Sequence, residues 1–372
     1  MQKTSKRNVP FFNYPQLWLD DRDMLLNQID ETASTGGFIM QKDLTDFETT
    51  LSEYSQSEYA VGVGNATDGM EIFLEAIGLE QGDEIIISSH TMLATASAVI
   101  TAGGVPVPVD IGDDNLIDPK AVLASVNNKT VGIMPTQLNG RTCKMDLLQD
   151  IADSKGLFIV EDAAQGLGSR YKGKHAGTFG LASCISFFPA KVLGCLGDAG
   201  AILTSNEEIY NACFQIRDHG RNHQGDVVRW GRNSRLDNIQ AAILNNKFPQ
   251  YNEAITRRRQ IASMYDANLS SIQQLKLPEK PSDNSDHFDV FQNYELEAEN
   301  RDQLKAYLQE NGVGTLIQWG GFAVHHYKNL GFDQDLSRTD EFFKNCLMLP
   351  MNLFISDEDI SYVCYLIQEF YS

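Results

Sequence analysis

Between Tyr59 and Asn211 the chain alternates short apolar runs with stretches of helical spacing. The runs are Tyr59–Val63, Glu84–Ser88, Pro106–Asp110, Thr130–Pro135, Leu157–Asp162, Ala182–Phe188 and Ala201–Thr204. They show no clear polar alternation, which predicts strands buried on both faces. Thr67–Ile77, Leu93–Ile100, Pro119–Val126, Met145–Ser154 and Glu207–Ile216 lie between them and carry the apolar spacing of helices. A strand–helix alternation of this kind predicts a mostly parallel sheet between two helical layers, a three-layer α/β/α large domain.

The pattern then changes. Leu236–Asn245 and Glu253–Ser270 read as two successive helices, followed by a connector rich in Pro and Asp from Leu277 to His287 that predicts an exposed loop. A strand (Val290–Leu296), a helix (Arg301–Asn311), a second strand (Val313–Gln318) and a final helix opening at Ser356 predict a smaller α+β C-terminal domain. The S-D-E-D at Ser356 predicts a capping box closed by Glu358 or Asp359. The expected division is residues 1–250 for the large domain with its N-terminal segment, and 251–372 for the small one. A length of 372 residues suits two lobes.

Composition narrows the function. A formal net charge of −20, spread without blocks, argues against a sequence-independent grip on nucleic acid or anionic membrane. The six cysteines have no C-x-x-C or zinc-like spacing, so they predict reduced thiols and no metal site. The basic N-terminus lacks the apolar core of a signal peptide, and no apolar stretch reaches the length of a membrane span. A cytoplasmic protein is the expectation.

Two motifs carry chemistry. S-F-F-P-A-K-V-L-G-C-L-G-D-A-G (Ser186–Gly200) sets Lys191 between an apolar run and a glycine-rich turn, and F-I-V-E-D-A-A-Q delivers Asp162 and Gln165 from a strand end. An amine in an apolar pocket has a depressed pKa and attacks carbonyls, and a buried aspartate is the partner that a pyridinium nitrogen needs. Taken singly, a loop lysine and a helix N-cap would explain these residues equally well. G-V-G-N-A-T-D-G-M (Gly62–Met70) adds a strand-to-helix turn suited to an anion, with Thr67 as a hydroxyl donor, though Asn65 or Thr67 would also serve as a plain cap. Ser186 supplies a second hydroxyl, and W-G-R-N-S-R-L-D (Trp230–Asp237) offers Asn233 and Arg235 before a helix. Asn65–Gly69, His90–Met92, Gln137, Asp162 and Gln165 all follow predicted strand ends, the edge where open parallel sheets bind ligands. Together these features point to pyridoxal phosphate.

Through N-A-T-D-G-M, V-E-D-A-A-Q, the Lys191 motif and R-N-S-R-L-D-N-I-Q-A-A, in this order and spacing, the whole chain resembles the DegT/DnrJ/EryC1/StrS family. These are sugar aminotransferases of the fold type I pyridoxal-phosphate class. The resemblance implies that Lys191 forms the Schiff base, Asp162 pairs with the pyridinium nitrogen and Gln165 reaches the ring hydroxyl. It implies that Ala66, Thr67 and Ser186 hold the phosphate, with Asn233 reaching it from the neighbouring subunit of a homodimer and Arg235 close by. Relatives that dehydrate sugars carry histidine in place of the lysine; this chain keeps Lys191.

Three segments depart from the family pattern. H-T-M (His90–Met92) stands where an aromatic residue usually stacks on the cofactor ring, so Met92 or His90 must take that place. T-Q-L-N-G (Thr136–Gly140) replaces H-L-Y-G, and I-Q-W-G-G (Ile317–Gly321) replaces a tyrosine–proline segment. Trp319, His325 and His326 follow in a region that faces substrate in relatives; a core tryptophan and two surface histidines are the plainer alternative. The resemblance implies amino transfer from an amino acid, glutamate in relatives, to a nucleotide-linked ketosugar at C3, for the amino sugars of surface polysaccharide such as O-antigen. C4 amination and a non-catalytic regulator of the same fold are the alternatives.

Overall fold

The computed structural model describes residues 6–282 and 284–372, and at its centre the buried apolar runs line up as an open sheet. In spatial order the strands are Val105–Val109, Glu84–Ser88, Thr130–Met134, the consecutive pieces Phe158–Ile159 and Glu161–Asp162, Ser183–Ser186, Gly200–Thr204 and Tyr59–Val63. Phe158–Ile159 pairs with Thr130–Met134, and Glu161–Asp162 pairs with Ser183–Ser186. Residues 158–162 therefore weld two half-sheets together. Every pairing is parallel except those of Gly200–Thr204, which runs antiparallel to both neighbours.

Successive side chains of a strand point to opposite faces, so uniformly apolar runs need cover on both. On one face Ala66–Ile77, Leu93–Thr101 and Glu207–Arg217 bring Ile72, Phe73, Val99 and Ile216 onto Ile85, Cys184 and Ile202. On the other, Lys42–Ser55 and Asn238–Lys247 bring Leu44, Phe47 and Leu244 onto Ile185 and Leu203, while Met145–Lys155 packs Leu148 on Ile86 and Ile133. The three-layer expectation holds.

The small lobe is an antiparallel sheet of Leu275–Lys276, Tyr294–Ala298 and Cys346–Leu349, packed on the helices Tyr251–Leu269, Arg301–Glu310 and Asp357–Phe370. Its last helix is capped as the sequence suggests, with Asp359 and not Glu358 closing the box: Ser356 Oγ accepts from the Asp359 N–H and Asp359 Oδ2 from the Ser356 N–H. The strand expected over Val290–Leu296 begins only at Tyr294, because Phe291 adopts φ +53° and interrupts the extended chain. Val313–Gln318 forms only isolated bridges, from Val313 to Val9 and from Leu316 to Met348. The connector is not free along its whole length: His287–Phe288 pairs with Arg170–Tyr171. The division proposed at residue 250 falls in the short helical turn Phe248–Gln250, yet Val9 from the N-terminal segment belongs to the small-lobe core.

Gly69 illustrates how tightly the helical layer sits. A β-carbon there would lie 2.3 Å from Cys184 Sγ in the adjacent strand. Replacing glycine by alanine in a helix normally gains up to about 1 kcal/mol, whereas overpacking a core costs about 1–3 kcal/mol. The steric cost dominates here. Gly69→Ala is expected to lower the urea midpoint of unfolding, and an unchanged or raised midpoint would show that the helix can lift off the sheet freely.

Candidate active site

The strand Tyr59–Val63 ends in a turn that opens the helix Ala66–Ile77 at the carboxyl edge of the sheet. Asn65 Oδ1 accepts from the Asp68 N–H at 2.9 Å, which leaves the amides of Ala66 and Thr67 without a protein acceptor among the described residues. Two neighbours come close for steric reasons. Gly200 approaches so nearly that a β-carbon there would be 2.7 Å from Ala66 N, and Gly200 pairs with Ser186 on the next strand. The strand carrying Ser186 is thus brought alongside the free amides at the helix N-terminus, where Thr67 also stands, and such amides favour an anion. Ser234 docks the downstream N-S-R motif onto the same turn, accepting from the Gly64 N–H at 3.1 Å and donating to Asp68 Oδ2 at 2.6 Å.

Asp162 ends the central segment and is 3% exposed. Its Oδ2 accepts from Thr95 Oγ1 at 2.6 Å and its Oδ1 from the Ala164 N–H at 3.1 Å. Thr95 continues through Thr91 to Thr136 in a line of hydroxyls with 2.8 Å spacings. Because Thr95 gives its proton to Asp162, Thr91 donates to Thr95 and Thr136 to Thr91, so the whole line is oriented toward the carboxylate. Burial raises the pKa of Asp162, and no cation is hydrogen-bonded to it. Lys191 is the charge that it senses. Desolvation lowers that amine to about 8, with Asp162 pulling in the opposite direction.

Gln165 Oε1 accepts from the Asn139 N–H at 2.9 Å and from Asn293 Nδ2 at 3.4 Å, leaving its own Nε2 free to donate. Asn139, at φ +55°, passes the contact on to the small lobe: its Nδ2 donates to Glu295 Oε2 at 2.7 Å, and its Oδ1 accepts from Gln318 Nε2 at 2.8 Å. Thr91, Thr136 and Asn139 lie in the departing segments H-T-M and T-Q-L-N-G without being singled out there, and neither Thr95 nor Glu295 carries a motif signal.

Other expected residues are placed differently. His90 does not stand in for the stacking aromatic. Its Nδ1 donates to the Asn115 carbonyl and its ring packs among Trp319, Phe342 and Phe343, because the small lobe docks over it. Met92 is 56% exposed where the next helix begins. Trp319 packs on this cluster at φ +47°, partly buried. His325 is buried and so is not a surface residue; it is held between Ser89 Oγ at 2.6 Å and Asp340 Oδ1 at 3.0 Å. Asn233 is exposed, and Arg235 Nη1 pairs with Asp218 at 2.8 Å. None of these hydrogen bonds ties Trp319, His325, Asn233 or Arg235 to Lys191.

His325, His326 and Asp340 bring three potential metal-ligand atoms within 4.8 Å of one another. However, His326 Nδ1 accepts from the Ala323 N–H, which assigns the proton to Nε2, where it points at Asp340. A metal would need that nitrogen bare. The trio is wired as a hydrogen-bond cluster.

A buried carboxylate lacking a cation, a depressed lysine, a free amide donor and an anion corner together match an aminated-aldehyde cofactor chemistry. A model of the DegT/DnrJ/EryC1/StrS aminotransferase family matches residues 20–368. The chain belongs to that family. It is a pyridoxal-phosphate-dependent aminotransferase. It is similar to the "Pleiotropic regulatory protein" of Geobacillus stearothermophilus, 35% identical over 98% of this chain and 99% of the relative. It is also similar to the dTDP-3-amino-3,4,6-trideoxy-alpha-D-glucose transaminase of Streptomyces venezuelae, 31% identical over 92% of this chain and 91% of the relative. The crystal structure of S. venezuelae DesV in complex with a ketimine intermediate superposes with a TM-score of 0.93 at 30% identity, covering 98% of this chain and 99% of that one. The fold class is thereby confirmed.

The two pKa shifts are testable in the cofactor-free protein. Acylation of Lys191, followed by peptide mass spectrometry against pH, is expected to show a midpoint near 8 against the ordinary lysine value of 10.5. Because the Asp162 charge holds that midpoint up, Asp162→Asn is expected to lower it further. A midpoint at the ordinary value would mean that the amine sits in water.

Proposed function

We propose that this aminotransferase moves an amino group from L-glutamate to C3 of a ketosugar carried on a nucleotide, in the cytoplasm, supplying amino sugars for surface polysaccharide. The observation that carries the catalytic part is Asp162, a buried carboxylate with two hydrogen-bond donors and no cation. When bound, pyridoxal phosphate supplies an electron sink that takes up the pair released as a C–H bond breaks.

The roles follow from each residue's free valences. Asp162 holds a proton at the ring nitrogen by offering it a negative charge out of water. Gln165 Nε2 would donate to the ring hydroxyl, and the Ala66 and Thr67 amides with Ser186 Oγ would hold the phosphate. Lys191 is the amine that would bond the cofactor, and its Nζ, when free, would hold and move the proton at the donor α-carbon and, in the second half, at the sugar carbon. Met92 offers its thioether to the ring face.

Arg235, Trp319 and His325 stay our assignment for the sugar nucleotide, with His325 acting from beneath the surface through Ser89 and Asp340. The transaminase from Streptomyces named above, whose product name carries a 3-amino group, supports C3 over C4. The relative named as regulatory favours a second reading, a sensor on the same fold, but the retained Lys191 and Asp162 weigh against it. Asn233 is exposed beside Trp230, 93% exposed, and Val227 and Val228, an apolar patch that supports a homodimer with shared sites. Among the described residues no helix is long and apolar enough to cross a membrane.

Lys191→Ala is expected to reduce turnover by roughly 10²–10⁴-fold or more, the usual span for a lost proton shuttle, while the protein stays folded. Mixing it with an Asn233 variant impaired in cofactor binding should restore part of the activity in hybrid dimers, and no recovery despite proven subunit exchange would count against a shared site. Run in reverse with 2-oxoglutarate, nucleotide-linked amino sugars should react far better than free amino sugars. A purified protein that is colourless and ignores glutamate would favour the sensor.

A further inference from the structure

Lys191 stands on a tight loop closed at its base by the Cys195 N–H donating to the Phe187 carbonyl at 2.9 Å. Inside the loop Gly194 leaves no spare room, since a β-carbon there would lie 2.9 Å from the carbonyl oxygens of Phe188 and Pro189. The lysine peptide itself is gripped by one side chain from the other lobe. Gln292 Oε1 accepts from the Val192 N–H at 3.0 Å, and Gln292 Nε2 donates to the Ala190 carbonyl at 2.9 Å. These are the peptide groups on either side of Lys191.

Gln292 is set in turn. It is 6% exposed and follows Phe291, the residue with left-handed backbone. The carbonyls of Phe291 and Gln292 both accept from Arg258 Nη1 at 3.0 Å. Arg258 is buried, its hydrogen bonds go to these two carbonyls, and no carboxylate pairs with it among the described residues. Burying an unpaired guanidinium is costly, so packing alone does not account for arginine at this position. A single terminal nitrogen, Nη1, spans two adjacent carbonyls brought to one side by the left-handed backbone at Phe291.

We propose that Arg258 and Gln292 are positioning residues for the reaction: the guanidinium fixes an interrupted strand, and the amide it presents clamps the backbone on both sides of Lys191, holding the half-buried amine opposite Asp162. This rests on the assignment of Lys191 as the cofactor lysine. A merely structural role in joining the lobes would change stability and leave the chemistry of the amine alone.

The test uses one variant of similar shape and one that conserves charge. Gln292→Met keeps the length of the side chain and removes both hydrogen bonds; Arg258→Lys keeps the charge on a shorter side chain that does not reach the two carbonyls as Nη1 does. In the cofactor-free proteins, the acylation midpoint of Lys191 is expected to rise by about one pH unit as water reaches the loosened amine. In the holoproteins, kcat is expected to fall about tenfold with KM for the amino donor little changed. If Gln292→Met does not fold, Arg258→Lys carries the test. An unmoved midpoint in a folded variant overturns the clamp. Borohydride reduction and peptide mapping of the wild-type holoprotein separate the two ideas: label on Lys191 with an unmoved midpoint sinks the clamp alone, whereas label on another lysine sinks the assignment of Lys191 and the clamp with it.

Discussion

Two adjacent carboxylates are buried in the segment that welds the sheet, and the difference in how they are satisfied organises the molecule. Glu161 points to one face and accepts from Gln137 Nε2 and from the N–H groups of Gly177, Phe179 and Gly180, at 2.6–3.1 Å. Four donors are enough to hold a charge out of water, and in doing so they pin the loop over 177–180 to the sheet. Asp162 points to the other face with two donors. The first carboxylate is complete within the protein. The second is left requiring a cation, and a protonated pyridinium is one. Residue for residue they differ by a single methylene; their donor counts separate structure from chemistry.

Much of this was legible in the sequence, for a physical reason. Tyr59–Val63 and Glu84–Ser88 form strands over the very residues that their apolar runs mark, because burial on both faces leaves no competing pattern. Lys191, Asp162 and Gln165 announce themselves through residue types that are expensive to bury. The helix Tyr14–Thr35 gave no such signal: only Leu25 and Thr32 along its length are buried, so no apolar period marks it. Lys42–Ser55 has its stripe in Leu44, Phe47 and Leu51, but the pattern is short and sits outside the strand–helix rhythm that guided the reading. Gln292 and Arg258 were invisible because what matters in them is long-range contact, Gln292 with the backbone of Ala190 and Val192 and Arg258 with the carbonyls of Phe291 and Gln292. A glutamine within an expected strand looks like any polar strand residue until the other lobe arrives.

The choice between His90 and Met92 shows the same limit at short range. The two lie in one tripeptide after a strand, and either could have faced the cofactor. The decision is made by the small lobe, which offers His90 an aromatic cage and a buried carboxylate: His90 Nε2 is 3.4 Å from Glu295 Oε2. The three segments that depart from the family pattern meet at that carboxylate. Asn139 of T-Q-L-N-G and Gln318 of I-Q-W-G-G both donate to Glu295 Oε2, and His90 of H-T-M approaches it. Departures that look independent along the chain are one polar cluster in space, and a buried network of this kind constrains its members jointly.

It follows that the site is not a property of the large domain alone. The large domain supplies the charge at Asp162, the anion corner at Ala66 and the amide of Gln165. The small lobe reaches each neighbour of the reacting centre through a side chain: Gln292 on the backbone of Lys191, Asn293 on Gln165, and Glu295 on Asn139. All three come from one short run entering the strand Tyr294–Ala298, just after the interrupted backbone at Phe291. A rigid shift of that run would disturb Lys191, Gln165 and the Asn139–Glu295 network together. The break in the strand, which hid it from the sequence pattern, is what turns its side chains toward those residues.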